Sequence, residues 1–230
     1  MKISIIGGAG RVGTAIAYAL LNSVHPKELL LLDIMKNLVM GEALDLGQAA
    51  VALSPSTKVT GTDDYSAIKG SDVVVFTAGR ARKPDETREQ LFDFNSKITK
   101  DVSAKIREFA PSAKVIVVTN PSTQIGAVVR EATGFPRERI IVMDNQLDTA
   151  RLKYFIRQET GMPISQLKSS VKGEHGENME FEIRDMLSPQ QEETVKTSTK
   201  EAGATIIKLK GHTCWGIASQ VADEVKRLVK

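Results

Sequence analysis

Six short runs of β-branched and leucine residues alternate along this chain with longer amphipathic stretches, and that alternation restricts the fold more than any other feature. The runs are Lys2 to Ile6, Leu29 to Asp33, Lys58 to Thr60, Val73 to Thr77, Lys114 to Val118 and Ile140 to Met143. Apolar residues recur at helical spacing over Arg11 to Leu21, Lys36 to Ala52, Arg88 to Ala110, Thr123 to Thr133 and Leu147 to Thr160. Near-continuous apolar strands buried on both faces, joined by crossover helices, make a parallel sheet. With right-handed crossovers, six such strands in two halves predict an α/β, doubly wound parallel (Rossmann) sheet of order 3-2-1-4-5-6. Ligands of such sheets bind at the carboxyl ends of the strands near the switch point.

Beyond about residue 160 the rhythm changes. Met162-Pro163 ends a helix, a mixed stretch follows, and helical patterns run from Ser188 to Gly203 and from Trp215 to Lys230. The expected organisation is a dinucleotide-binding domain over residues 1–145, followed by a second, α+β substrate domain over 146–230.

The turn after the first run reads Gly8-Ala9-Gly10-Arg11-Val12-Gly13 and opens a helix. In a GxGxxG of this placement the first glycine serves a tight turn, the second lets backbone approach a pyrophosphate, and the third lets helix and strand pack closely. The phosphates then meet the positive end of the helix dipole. Asp33 stands 20 residues after Gly13, at the end of the second run, where a carboxylate accepts hydrogen bonds from ribose hydroxyls. Strand, glycines, helix and acid together indicate a dinucleotide site, whereas the glycines alone would fit any tight connection.

Four further segments concentrate polar groups at strand ends or helix starts: Arg80 to Arg88, Thr119-Asn120-Pro121, Leu147 to Arg151, and Gly173-Glu174-His175-Gly176. Taken singly each has an ordinary reading. An arginine-rich run is commonly a solvated loop, and Asp148 with Arg151 at i, i+3 is commonly a surface pair. His25 and His212 read as exposed or satisfied structural histidines, and Cys214 as a buried, inert thiol. Taken together, the segments resemble the NAD-dependent malate and lactate dehydrogenase family, and within it the malate enzymes. The matching motifs are GxGxxG with Asp33, Ala81-Arg82-Lys83-Pro84 followed by Arg88, Val118-Thr119-Asn120-Pro121, Leu147-Asp148-xx-Arg151, and Gly173-Glu174-His175-Gly176.

The resemblance implies hydride transfer between NAD and a 2-hydroxy dicarboxylate, interconverting malate and oxaloacetate. It implies that His175 gives or takes the hydroxyl proton while Asp148 fixes its tautomer, chemistry suited to an imidazole that titrates near neutrality. Arg151 would hold the C1 carboxylate through a bidentate fork. Arg88 would polarise the C2 carbonyl, Arg82 would meet the distal carboxylate, and Asn120 would hydrogen-bond substrate or cofactor. The cofactor would lie against Gly8, Gly10, Arg11, Val12, Gly13, Asp33, Asn95, Thr119 and Asn120. No metal is implied, and the family's assemblies imply a homodimer or homotetramer. A lactate or broad 2-hydroxyacid dehydrogenase is the near alternative, because Lys210 to Gly216 reads more like the lactate enzymes. A noncatalytic dinucleotide binder is the distant one.

Two departures from the family pattern stand out. Asp85-Glu86 replaces a usual glycine and apolar residue in the loop that faces an anion, and the chain ends at Lys230, before the usual final strands and helix of the substrate domain, so the second domain is expected to be C-terminally short. Composition closes off other classes. Lysine and arginine exceed aspartate and glutamate by 31 − 28 = 3, with the signs interspersed, which gives no footprint for nucleic acid. No apolar run approaches the ~18 residues of a membrane span. Cys214 is the only cysteine, so no intramolecular disulfide or CxxC site can form, and a cytoplasmic protein is expected.

Overall fold

A computed structural model describes residues 1–82, 85–173 and 178–228. The first unit spans Met1–Met143 together with Val221–Lys230, and the second spans Asp144–Gln220.

In the first unit, strands β1 (Lys2–Ile6), β2 (Glu28–Leu32), β3 (Lys58–Thr62), β4 (Val73–Phe76), β5 (Lys114–Val117) and β6 (Ile140–Val142) form one sheet of order β3-β2-β1-β4-β5-β6. All five pairings are parallel, and Ile3 of β1 stands opposite Leu29 of β2 and Val73 of β4. The predicted strand order is therefore the observed one. Alternate residues of the central strands are buried on both faces. Ile6, Leu32, Phe76 and Val117 meet Val102 and Ile106 of α3 (Arg88–Phe109) and Ile125 and Val129 of α4 (Ser122–Thr133). Ile5, Leu31, Val75 and Ile116 are fully buried on the opposite face. Helices α1 (Arg11–Ser23) and α2 (Lys36–Leu53) complete the crossovers of the first half. β1 and β4 are paired at the sheet's centre, where the strand order reverses, and because all strands are parallel the loops after β1, β4 and β5 open at the same carboxyl edge.

The second unit is built on α5 (Gln146–Thr160), the antiparallel hairpin β7 (Ser170–Lys172) and β8 (Glu180–Glu182), and α6 (Pro189–Lys210). Its core is Leu152, Ile156, Leu167, Val171, Met179 and Val195. Ser188 caps α6 with a reciprocal box, its side chain accepting from the Gln191 N–H at 3.2 Å while the Gln191 side chain accepts from the Ser188 N–H at 2.9 Å. Helix α6 runs seven residues past the expected end at Gly203, because nothing breaks it before Gly211, which caps it with φ +82°. Helix α7 (Trp215–Leu228) follows. Its distal part groups with the first unit, where Lys114 Nζ donates to the Leu228 carbonyl at 3.4 Å. The two compact units divide between Met143 and Asp144, and the described residues from Val221 onward group with the first unit. Among the described residues no helix is long and apolar enough to cross a membrane.

Candidate functional site

The glycine loop joins β1 to α1. Here the structure amends the assignment of the turn: the left-handed residue is Gly7, at φ +86°, one position before the motif. Gly13 meets the packing role, since a Cβ there would lie 2.3 Å from the Gly7 carbonyl oxygen and 3.0 Å from the Gly8 Cα. Gly10 is the N-cap of α1 and offers no side-chain acceptor to the first turn, whose N–H groups have no intrahelical partner. Arg11 is exposed and Val12 half-buried beside it. A helix start whose cap is a glycine with no side chain is the environment a pyrophosphate needs.

Asp33 follows β2 directly and is anchored there. One carboxylate oxygen accepts from the Ala9 N–H of the glycine loop at 3.1 Å, the other from the Met35 N–H at 3.1 Å. A carboxylate offers about four lone-pair sites, so acceptor capacity remains for two ribose hydroxyls. The residues present fit a dinucleotide without an extra 2′-phosphate, which this carboxylate would repel. Tyr65, on the short turn after β3, has its phenol pushed up by burial and further by the charges of Asp33 and Asp101.

The loops after β4 and β5 are locked together by Asn95 of α3, which is fully buried. Its Oδ1 accepts from the Arg80 N–H at 3.1 Å, and its Nδ2 donates to the carbonyls of Arg80 at 3.2 Å and Asn120 at 2.8 Å. Asn95, which the resemblance places against the cofactor, braces the two loops that would line it. Thr119 is buried, donating to the Ala78 carbonyl at 2.9 Å, and the Asn120-Pro121 bond is cis. Gly79 is wedged between Thr119 and Asn95, a Cβ there falling 2.7 Å from the threonine Cγ2. Asn120, Arg82 and Arg88 are exposed at this edge. Thr87 caps α3 with a second reciprocal box with Gln90, which fixes the helix start from which Arg88 projects.

In the second unit Asp148 and Arg151 are on one face of α5, as i, i+3 spacing requires. They form no surface pair, however. Asp148 is 1% exposed and Arg151 12%, with Nη1 donating to Oδ1 at 2.9 Å. Gly203 of α6 supplies the space, since a Cβ there would lie 3.3 Å from Arg151 Nη2. That role was missed in the sequence, where a glycine inside a helix was the available signal. Thr149 ties α5 to β7, accepting from the Val171 N–H at 3.0 Å. Beyond β7, a Cβ on Gly173 would come 2.2 Å from the Asn178 carbonyl, so the two residues flanking 174–177 stand close together. His175 lies outside the described residues, as does Lys83. Of the other residues singled out, His25 is exposed at φ +54° and Cys214 is a buried free thiol.

A parallel doubly wound sheet, a glycine loop opening a helix and an anchored acid after the second strand define a dinucleotide-binding α/β protein. Residues 1–142 match the lactate/malate dehydrogenase NAD binding domain, and residues 145–230 match the lactate/malate dehydrogenase alpha/beta C-terminal domain. The chain belongs to the lactate/malate dehydrogenase family. It is 39% identical to a malate dehydrogenase of Pyrobaculum calidifontis over 96% of this chain and 76% of that protein. It superposes on the malate dehydrogenase of Aeropyrum pernix with a TM-score of 0.91 at 36% identity, covering 97% of this chain and 76% of the other. For a malate dehydrogenase of Archaeoglobus fulgidus in complex with NADH the TM-score is 0.90 at 36% identity, covering 100% and 78%.

Proposed function

We propose that the protein is an NAD-dependent malate dehydrogenase, interconverting malate and oxaloacetate. The observation that carries the catalytic part is Asp148. An ionisable carboxylate withdrawn from water at the first turn of α5 is costly unless it serves its partners. It holds Arg151 by one oxygen, which presets the guanidinium for a substrate carboxylate. Its other assigned duty is to orient His175, the acid/base expected from the sequence, and to favour the imidazolium that forms when the substrate hydroxyl gives up its proton.

NAD supplies hydride acceptance or donation when bound to the first unit. The chain's own part is position and charge. Arg88 would stabilise the oxyanion at C2, and Arg82 would face the distal carboxylate, so that each negative group of a dicarboxylate has its own guanidinium. Asn120 and Thr119, with the glycine loop, would line the cofactor, and Asn95 holds their loop in place.

Oxidation of NADH by the purified protein with oxaloacetate, with pyruvate and with no substrate tests this proposal. Oxaloacetate should win in kcat/KM by a factor of about a hundred or more, because a desolvated guanidinium facing a methyl group costs several kcal/mol. Equal rates for the two acids would favour the broad 2-hydroxyacid reading, and no turnover the noncatalytic one. A homo-oligomer, supported by exposed Leu44 and Val51 on α2, completes the proposal, with the cytoplasm as its compartment.

A further inference from the structure

The glycine loop is held from the side of β4 as well as from β2. Within it the Gly7 and Gly8 N–H groups both donate to the Leu32 carbonyl, at 2.9 and 3.0 Å, and the Ala9 N–H donates to Asp33. The Gly10 N–H donates to the Gly7 carbonyl at 3.1 Å, and the Gly10 carbonyl accepts in turn from the Thr14 N–H of α1 at 2.9 Å. The start of α1 is therefore registered, through Gly10, to the Gly7 carbonyl. Thr77, the residue that follows β4, reaches the same carbonyl from the other side. Its hydroxyl donates to the Ile6 carbonyl at 2.9 Å and has the Gly7 carbonyl as a second acceptor at 3.2 Å. The approach is close, since a Cβ on Gly7 would stand 2.7 Å from Thr77 Oγ1 and 2.7 Å from the Ala78 nitrogen.

We propose that Thr77 is a positioning residue for the cofactor: its hydroxyl fixes the Gly7 carbonyl and, through the bond from Gly10 to Gly7, the start of α1 that receives the pyrophosphate of NAD. The inference rests on the NAD reading of the glycine loop given above. A glycine-rich turn needs such a restraint, because glycine gives up more conformational freedom on ordering than any other residue. A helix start acts on phosphates through N–H groups and a dipole whose effect depends on direction and fades within the first turn. A loop ordered before the cofactor arrives leaves less to order on binding, so the hydroxyl is expected to act on NADH affinity and not on the chemical step. Loss of the hydroxyl strands no acceptor. The Ile6 carbonyl keeps the Thr77 N–H at 2.8 Å, and the Gly7 carbonyl keeps the Gly10 N–H. Every bond of the tie lies within the first unit.

Thr77→Ser and Thr77→Ala differ by a single oxygen, so the two variants separate the hydroxyl from the size of the side chain. Calorimetric titration of the purified protein with NADH should give Thr77→Ser a Kd within about twofold of wild type and Thr77→Ala one about tenfold higher. Thr77→Val, which keeps the branched shape, should behave as Thr77→Ala does. In steady-state rates KM for NADH should rise in the alanine variant, with kcat and KM for oxaloacetate within about twofold of wild type. Tm of all three should stay within about 3 °C of wild type, since no acceptor is stranded. Hydrogen exchange without cofactor reads the tie directly: the Gly10 and Thr14 amides should exchange about fivefold faster in Thr77→Ala than in Thr77→Ser. Equal NADH affinities for the serine and alanine variants would assign any effect to side-chain size and overturn the proposal. Equal exchange at Gly10 and Thr14 would overturn it too. A wild-type protein that does not bind NADH would remove the NAD reading and the cofactor role of Thr77 together, whereas NADH binding that the serine and alanine variants share equally overturns this proposal alone.

Discussion

Asp33 serves fold and specificity with the same two oxygens. By accepting from Ala9 and Met35 it sets the spacing between the glycine loop and the start of α2, and its charge then faces whatever occupies that loop. A carboxylate suits two ribose hydroxyls and opposes a 2′-phosphate, so kcat/KM for NADH should exceed that for NADPH by about tenfold or more. Asp33→Ser should shrink the ratio to within about threefold, chiefly by weakening NADH, since a hydroxyl can keep only part of the backbone bonding. Initial rates with both cofactors measure it, and a ratio unmoved by the substitution would place the discrimination elsewhere. Asp33 was legible in the sequence because its spacing from Gly13 and its place after a strand are local. The bond from Arg80 to Glu86 was not. The two are six residues apart on no regular element, so nothing in their spacing marks them as partners. Asn95 was singled out for the cofactor, but its bonds to the two loops were not legible, because which group a buried amide satisfies depends on the neighbouring loops and not on its own helix.

At the scale of elements, the parallel sheet was legible because its strands are apolar on both faces and each crossover helix carries a 3.6-residue stripe. The β7–β8 hairpin was not, since Ser170-Val171-Lys172 and Glu180-Phe181-Glu182 offer one apolar residue each and no run. What holds that region is polar. Asp185 accepts from the N–H groups of Lys168 at 3.0 Å and Ser169 at 3.1 Å, while Ser169 Oγ accepts from the Arg184 N–H at 2.8 Å. Partial burial is the largest influence on the Asp185 carboxyl and opposes its ionisation. The two backbone bonds, the Ser169 hydroxyl and the charge of Lys153 together outweigh it, so the group titrates below its ordinary value of 3.8. A carboxyl with a lowered folded pKa contributes stability that is full above the unfolded value and fades as pH falls through the folded one. Asp185→Asn should therefore lower Tm by about 2–4 °C at pH 7. In urea unfolding the gap between the two proteins should persist at pH 5 and narrow by pH 3. A gap that widened on acidification would contradict this account.

For the whole molecule, the exposed side of α2 poses the question of assembly. Val39, Ala43, Leu46 and Ala50 face inward, which is the stripe an amphipathic crossover helix must bury. Beside it runs a second apolar stripe at i, i+4, i+7 and i+11: Met40 is 51% exposed, Leu44 68% and Val51 74%, with Gly47 between them having open space above it. An apolar patch of this kind on one chain marks an interaction site, and a helix meeting its own copy across a two-fold axis would bury it isologously, Gly47 permitting close approach. Leu44 sits mid-stripe, so Leu44→Arg would place a cation opposite itself in the dimer, where two like charges are repelled and desolvated at once. The wild-type chain should sediment at about 20 µM as a dimer or larger assembly of 25.0 kDa units. Leu44→Arg should sediment as a monomer while keeping NADH affinity within about threefold, because Leu44 is exposed and stands 11 residues along the chain from Asp33. A wild-type chain that remains monomeric across this range, or a variant that still associates, would show that α2 is not the contact and that its apolar stripe has another use.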